Sequence, residues 1–144
     1  MDEAKEILIV EDDALSADVL RRWLGRRGFV VKIAKDGAEG VRLARETPPA
    51  LVLMDLSLPV LDGLSATRAL REAPETRAVP IVMLTGHTTE EIDAACARAG
   101  VTAREEKPVD FARLHARIVS ILEQGRGEGF RAMSTDDSGR ATGC

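Results

Sequence analysis

The sequence predicts an α/β protein built on one parallel sheet with helices on both of its faces. Two observations predict this class: short apolar runs alternate with segments of helical periodicity, and each run stops abruptly at a polar residue. The apolar runs cover residues 7–10, 51–54, 81–84 and, more weakly, 101–106. Near-continuous apolar runs are typical of parallel strands that are buried on both faces. Together with one alternating segment, they give the order strand then helix, repeated five times.

The first half of the chain supplies three strands and two helices. Apolar residues at helical spacing follow the first strand, and Gly28 is placed to end that helix in a left-handed conformation. Residues 29–34 alternate as the second strand, and residues 38–45 form a short helix that two prolines end. The third strand, 51–54, leads directly into Asp55. The residues that mark the first helix are Leu15, Leu20, Trp23 and Leu24.

The second half of the chain supplies the remaining two strands and three helices. Turn residues break the loop after Asp55, and residues 64–71 form the third helix. Pro80 precedes the fourth strand, and Thr88 with Glu91 resembles a capping box that opens a helix over residues 92–98. A last helix follows the fifth strand. Its marker residues are Phe111, Leu114, Ile118, Val119 and Leu122.

Composition bounds the class of protein. The chain has 144 residues, of which 44% are hydrophobic, so it is long enough for one domain with a proper core. A formal charge of −4 with interspersed Arg and Glu leaves no basic stripe for a nucleic-acid backbone. No apolar run approaches the ~20 residues that a spanning helix needs, and Cys96 and Cys144 lack metal-ligand spacing. We therefore expect a cytoplasmic protein that binds neither nucleic acid nor membrane directly.

A change of composition predicts where the domain ends. From Gln124 onward the chain is rich in Gly, Arg, Ser, Thr and Asp, and only Phe130 and Met133 are larger apolar residues. Such a segment cannot bury enough surface to offset its ordering entropy. We therefore expect a folded domain over residues 1–123 and a disordered tail over residues 124–144.

Four strand ends carry residues that can handle phosphate or a metal ion. Glu11 and Asp12 follow the first strand, Asp55 the third, Thr85 the fourth and Lys107 the fifth. Because the carboxyl ends of parallel strands meet at one edge of a sheet, these side chains should lie together. Phosphoryl transfer to a carboxylate requires a nucleophile, a divalent cation and further groups around the phosphoryl oxygens. Asp55 would be the nucleophile, and Lys107 and Thr85 would bind those oxygens.

The acidic residues also suit a magnesium ion. Mg²⁺ takes oxygen ligands and usually keeps several waters. Asp12, helped by Glu11, would hold Mg²⁺ together with Asp55, and the backbone carbonyl of Ser57 could supply another ligand. The position two residues after Asp55 carries no second acid that could act as a proton donor.

Each of these residues also has an ordinary structural interpretation. An acidic run before a helix, here 11–13, is most often an N-terminal cap and a partner for the helix dipole. A lone Asp after a strand is often a turn residue, and Lys-Pro is a common loop dipeptide. The occurrence of all four features in order, on four separate strand ends, favours the functional interpretation.

Here the chain resembles the receiver domain of two-component response regulators, over nearly all of residues 5–123. The resemblance implies a flavodoxin-like (CheY-like) doubly wound sheet of five parallel strands, order 2-1-3-4-5, with five helices. It also implies that a sensor histidine kinase or a histidine phosphotransfer protein supplies the phosphoryl group, and that the protein catalyses only its own phosphorylation and dephosphorylation. The motifs that carry the resemblance are 7–13, 54–59 with Asp62-Gly63, 84–86 and Lys107-Pro108.

Several roles remain open for such a domain. The residues after Gln124 are too few for an output domain, so we expect a stand-alone receiver that signals through an unknown downstream protein. A relay intermediate, a phosphate sink or the receiver of a hybrid kinase are the variants. A more distant alternative is an aspartyl-phosphate hydrolase of the haloacid dehalogenase type, which resembles a sequence with Asp-x-Asp where this chain has Ser57. Turnover of small phosphate esters would distinguish the hydrolase.

One position departs from the family pattern. Receivers usually carry Tyr or Phe three residues before the Lys of the fifth strand, and here that position is Arg104. An edge strand tolerates such polarity, whereas a central parallel strand does not. We expect the guanidinium to stay in solvent, because burying it unpaired is costly.

Overall fold

The structure is a computed structural model that describes residues 4–126. Strands and helices alternate strictly along these residues, as the sequence predicts. In chain order they are β1 (Glu6–Val10), α1 (Ala14–Arg26), β2 (Val30–Ala34), α2 (Gly37–Glu46), β3 (Leu51–Asp55), α3 (Gly63–Glu72), β4 (Ile81–Thr85), α4 (Glu90–Ala99), β5 (Ala103–Glu106) and α5 (Phe111–Arg126).

The five strands form one parallel sheet in the order β2-β1-β3-β4-β5. Every neighbouring pair is parallel, which confirms the predicted flavodoxin-like topology. The strand order reverses between β1 and β3, whose residues Val10 and Met54 are register partners. In open α/β sheets, ligands bind beyond the carboxyl ends of the strands at such a reversal. This point of the fold is therefore where a site is expected.

Alternating side chains of the sheet build two separate cores. One core contains Ile7, Ile9, Leu51 and Leu53 and is covered by apolar residues of α1 and α5. The other contains strand residues of opposite parity, such as Met54, and is covered by α2, α3 and α4. Because successive side chains of a strand point to opposite faces, a continuous apolar run fills both cores at once.

The first helix begins directly after the acidic run, and the cap of the fourth helix lies one residue beyond its predicted position. Asp13 is the N-cap of α1 and accepts hydrogen bonds from the backbone N–H and the hydroxyl of Ser16. The predicted capping box of Thr88 in α4 is wrong: Thr89 has the extended cap conformation, and its hydroxyl accepts the N–H of Ile92. The shift by one residue brings two glutamates and Asp93 into the first turn, where they suit the helix dipole.

The last helix also extends beyond its predicted end. The sequence predicted that a tail begins at residue 124. Helix α5 instead continues to Arg126, so residues 124–126 are helical and belong to the folded domain. An exposed Gly within a helix, such as Gly125, costs roughly 1 kcal/mol of helix stability relative to Ala, which does not end the helix. The remainder of the predicted tail, 127–144, lies outside the described residues.

Candidate functional site

Three carboxylates meet at the carboxyl edge of the sheet. Glu11 and Asp12 follow β1, and Asp55 is the last residue of the adjacent β3. One oxygen from each lies within 4.8 Å of the others. Glu11 and Asp55 are buried, with only 4% and 6% of their surface exposed, whereas Asp12 is exposed. Glu11 is fixed in place because one of its oxygens accepts the N–H of Asp13 at 3.1 Å.

Lys107 brings a positive charge to these carboxylates. Its Nζ lies 3.1 Å from Oδ1 of Asp55 and 3.4 Å from Oε1 of Glu11. The residue directly follows β5, and its backbone N–H donates to the carbonyl of Thr85 at 2.7 Å. A cis peptide bond joins it to Pro108. The fifth strand thus delivers its cation to the same point as the acids of the first and third strands.

Burial and the neighbouring charges shift two pKa values. Burial raises the pKa of Glu11, and the nearby charge of Asp55 adds to this, against the hydrogen bond from Asp13 and the charge of Lys107. Burial alone would lower the pKa of Lys107, but the hydrogen bond and charge of Asp55, with those of Glu11, outweigh it, so this pKa is raised. The site therefore contains one buried acid whose negative charge is poorly compensated.

Thr85 ends β4 and is completely buried. Leu84, the preceding residue, is the register partner of Asp55, so Thr85 lies just beyond Asp55 on the neighbouring strand. The Thr85 hydroxyl donates to the carbonyl of His87 and accepts the N–H of the same residue. The hydroxyl is thus engaged with the loop that follows β4.

The loop between Asp55 and α3 is held closely against its surroundings. A Cβ on Gly63 would lie 2.4 Å from the carbonyl oxygen of Asp55, and one on Gly37 would lie 1.8 Å from that of Leu61. Within the loop, Val60 has a φ of +69°, in a tight turn closed by a hydrogen bond from Leu61 to the carbonyl of Pro59. The proposed ligand Ser57 lies in this loop, and the role of its carbonyl stays a prediction.

An apolar groove opens beside the acids, and the sequence did not indicate it. Leu15 and Val19 of α1 are 72% and 44% exposed, although the helical spacing suggested a core position for Leu15. Pro108 and Phe111 also line the groove, as do Glu11 and Lys107 of the site. The signal that could have shown the groove is the number of apolar residues along α1, which exceeds the buried set of Ala17, Leu20 and Leu24.

The expectation for Arg104 is wrong. Its side chain is only 20% exposed, and its Nε lies 2.7 Å from Oδ1 of Asp93 in α4. On the other side of β5, the buried Glu105 contacts Arg113 at 3.3 Å and Arg117 at 2.5 Å, both in α5. An edge strand can carry such charges because neighbouring helices supply partners, which the sequence alone does not reveal.

Comparisons with known proteins agree with this geometry. The family model described as the response regulator receiver domain matches residues 7–119. Protein PilH of Pseudomonas aeruginosa is 37% identical over 116 residues, which are 81% of this chain and 96% of that protein. A crystal structure of the receiver domain of sensor histidine kinase PA1611 from Pseudomonas aeruginosa PAO1 is 34% identical and superimposes with a TM-score of 0.79. The match covers 85% of this chain and 100% of the PA1611 receiver domain. That receiver domain has a magnesium ion coordinated in its active-site cleft.

Other relatives are longer than this chain. The transcriptional regulatory protein PrrA of Mycobacterium leprae is 36% identical over 132 residues, which are 92% of this chain but 54% of that protein. The chain thus spans about half the length of this relative. Among residues 4–126, no helix combines the length and the apolar character that crossing a bilayer requires.

Proposed function

The chain belongs to the response regulator receiver family, and from that premise we propose that it accepts a phosphoryl group on Asp55 and signals by the resulting change of its surface. The observation that carries this proposal is the contact of the Lys107 ammonium with the buried Asp55 carboxylate, inside a cluster of acids. A carboxylate held in this way has a fixed orientation beside a positive charge. The only catalysis proposed is of the protein's own phosphorylation and dephosphorylation.

The proposed donor is the phosphohistidine of a sensor kinase or of a histidine phosphotransfer protein. A carboxylate oxygen of Asp55 attacks phosphorus and forms the new O–P bond, while the N–P bond of the phosphohistidine breaks. The leaving histidine nitrogen keeps the electron pair and takes up a proton. Lys107 stays beside Asp55 throughout, so its ammonium can pair first with the carboxylate and then with the phosphoryl oxygens.

The acid cluster fits a magnesium ion. Three carboxylate oxygens of Glu11, Asp12 and Asp55 lie close together, and oxygen donors are what Mg²⁺ prefers. Burial raises the pKa of Glu11, and the nearby charge of Asp55 adds to this, so a cation at the cluster would favour the ionised acids. A bound Mg²⁺ would supply neutralisation of charge on the phosphoryl oxygens. We propose Glu11, Asp12, Asp55 and the carbonyl of Ser57 as the residues that hold it.

The apolar groove is the proposed approach of the donor protein. A phosphohistidine must come within bonding distance of Asp55, so the surface of the donor protein has to contact the residues next to the site. The exposed Leu15 and Val19, with Phe111 of the same groove, offer apolar contact at that place. Since donor kinases draw on ATP inside the cell, the cytoplasm is the compartment we propose.

Output through a partner protein is part of the proposal. This chain matches 96% of the length of PilH and 54% of the length of PrrA. The phosphorylated form would present an altered surface to an unidentified protein, not to nucleic acid. The chain carries a net charge of −4, which disfavours a phosphate backbone as the partner.

Phosphorylation by acetyl phosphate, with and without Mg²⁺, tests the proposed function. Wild type should be labelled only with Mg²⁺, and Asp12→Ala should lose Mg²⁺-dependent labelling because a direct ligand is gone. Asp13→Asn is the matched control, because Asn caps a helix about as well as Asp and Asp13 is outside the cluster. Equal labelling of wild type and Asp12→Ala would show that the metal is held elsewhere. Rapid turnover of small phosphate esters would instead favour a hydrolase.

A further inference from the structure

The contact between Arg104 and Asp93 is close but poorly aligned. Nε of Arg104 and Oδ1 of Asp93 are 2.7 Å apart, with 20% and 44% of the two side chains exposed. Both atoms are nevertheless buried, and neither has a hydrogen bond of acceptable geometry among the described residues. The attraction is therefore Coulombic, and it lacks the directional hydrogen bond that normally accompanies such a distance.

The contact between Arg104 and Asp93 contributes little net stability, so little free energy is lost when it opens. Removing two charges from water is costly, and their attraction repays the cost only when the geometry is good and the remaining polar atoms are satisfied. The ion pairs on the other side of β5 differ, because Nε of Arg117 donates a hydrogen bond to Glu105. Strand β5 is therefore joined firmly to α5 and weakly to α4.

The weak contact lies close to the loop that holds the Thr85 hydroxyl. Helix α4 begins at Glu90, and the N–H of Asp93 donates to the carbonyl of its cap, Thr89, at 2.9 Å. Only residues 86–88 separate that cap from Thr85, and the hydroxyl of Thr85 is hydrogen-bonded to the backbone of His87. The start of α4 is thus restrained at two points, by Thr85 through His87 and by Arg104 through Asp93.

We infer that Arg104 and Asp93 are positioning residues that hold the start of α4, and with it the loop at His87, in the unphosphorylated arrangement. The inference rests on the proposed function, together with the expectation that the Thr85 hydroxyl turns from His87 and binds the phosphoryl oxygens. That turn removes one restraint and pulls the loop, and the Arg104–Asp93 contact opposes it. By linkage, weakening this contact favours the phosphorylated arrangement.

The chemistry of Arg104 excludes one other route. If the Arg104 side chain followed Thr85 into the interior, its guanidinium would be buried there without a partner. Such burial is too costly. Release of Asp93, with Arg104 keeping its partly exposed position on β5, requires no such burial. The helix therefore responds through loss of a contact and not through entry of a side chain.

Binding of beryllofluoride with Mg²⁺ present, a mimic of the phosphoryl group, tests the inference in the full chain. Asp93→Asn and Arg104→Met should each bind beryllofluoride about 5-fold more tightly than wild type, at the low end of typical coupling between sites. The double variant should gain no more than either single variant, because both remove the same contact. The exchanged pair Asp93→Arg with Arg104→Asp should return the affinity toward that of wild type. Glu91→Gln, an exposed acid in the same turn, is the matched control and should bind as wild type does.

The outcomes separate the inference from the proposed function. If wild type fails to bind beryllofluoride, or if Asp55→Asn binds it equally well, the proposed function fails. If wild type binds through Asp55 but Asp93→Asn and Arg104→Met have unchanged or weaker affinity, only the positioning role is overturned. A lowered melting temperature with unchanged affinity would likewise assign the pair a purely structural role.

Discussion

Glu11 holds a negative charge in a buried position beside a second carboxylate. Its raised pKa, due first to burial, means that the folded protein binds a proton there more tightly than the unfolded chain does. The stability that comes from this proton is present below the pKa of the unfolded chain, about 4.3, and is lost as pH rises through the folded value. Above the folded pKa, the ionised Glu11 therefore destabilises the metal-free protein.

Glu11→Gln should raise the melting temperature of the metal-free protein at pH 7 by a few degrees. The amide keeps the shape of the side chain and its acceptor for the N–H of Asp13, but it removes the buried charge. The gain should shrink as pH falls and should vanish near pH 4. Melting curves at several pH values in the presence of a chelator measure it, and the exposed Glu91→Gln should show no gain. If the gain in melting temperature were the same at pH 4 and pH 7, it would not come from removing the charge of Glu11.

Single residues also mark where sequence reasoning succeeds. Asp55, Lys107, Glu11 and Asp12 could be placed at one edge because each follows a strand, and parallel strands end at a common edge. The exposed position of Leu15 could not be foreseen, because helical spacing identifies an apolar side without showing which of its members reach the core.

At the scale of elements, the start of α3 determines where Asp55 lies. Gly63 is the first residue of α3, and its N–H donates to the carbonyl of Leu56 at 3.0 Å. A Cβ there would meet the Asp55 carbonyl oxygen at 2.4 Å and Sδ of Met83 at 3.1 Å. Since backbone atoms cannot yield as a flexible side chain can, the added methyl group must move the end of β3.

Gly63→Ala should therefore destabilise the protein by about 2–4 kcal/mol and lower Mg²⁺-dependent phosphorylation about tenfold or more. Denaturant unfolding and acetyl phosphate labelling measure the two effects. Gly25→Ala is the matched control, since nothing lies within 4 Å of a Cβ at this position of α1. It should stabilise by roughly 0.5–1 kcal/mol, the usual advantage of Ala over Gly in a helix, and leave labelling unchanged. Normal labelling of Gly63→Ala would show that the end of β3 can shift without consequence.

Strand β5 shows what a sequence pattern at the level of elements leaves out. The polarity of the strand predicted an edge position, and that is confirmed, because β5 pairs only with β4 within the described sheet. The contacts of Arg104 and Glu105 depend on how α4 and α5 lie across that edge. No local signal in the sequence carries that information, so the partial burial of Arg104 and the burial of Glu105 were missed.

At the scale of the whole molecule, the folded domain should end with α5. Truncation after Arg126 should leave the melting temperature and the phosphorylation of Asp55 essentially unchanged, because the removed segment has only Phe130 and Met133 as larger apolar residues. Thermal unfolding of the truncated and full chains tests this directly. A loss of several degrees would show that these two residues pack on the domain.

The whole fold could be predicted because its pattern is redundant. Alternation, turn residues and strand-end chemistry all indicate the same parallel sheet, and such agreement between levels is typical of sequences that specify one structure. The positions of helix ends could not be predicted as well. Thr88 and Thr89 are both chemically able to cap α4, and only the backbone of the preceding loop selects Thr89.

The measurement that tests the central claim most directly is the position of the phosphoryl group after incubation with radiolabelled acetyl phosphate and Mg²⁺. Wild type should be labelled, and Asp55→Asn should not be, because the amide cannot act as the nucleophile. Asp62→Asn, which changes a carboxylate in the same loop but preserves the cap of α3, should be labelled as wild type is. Labelling of Asp55→Asn to the extent of wild type would contradict the account.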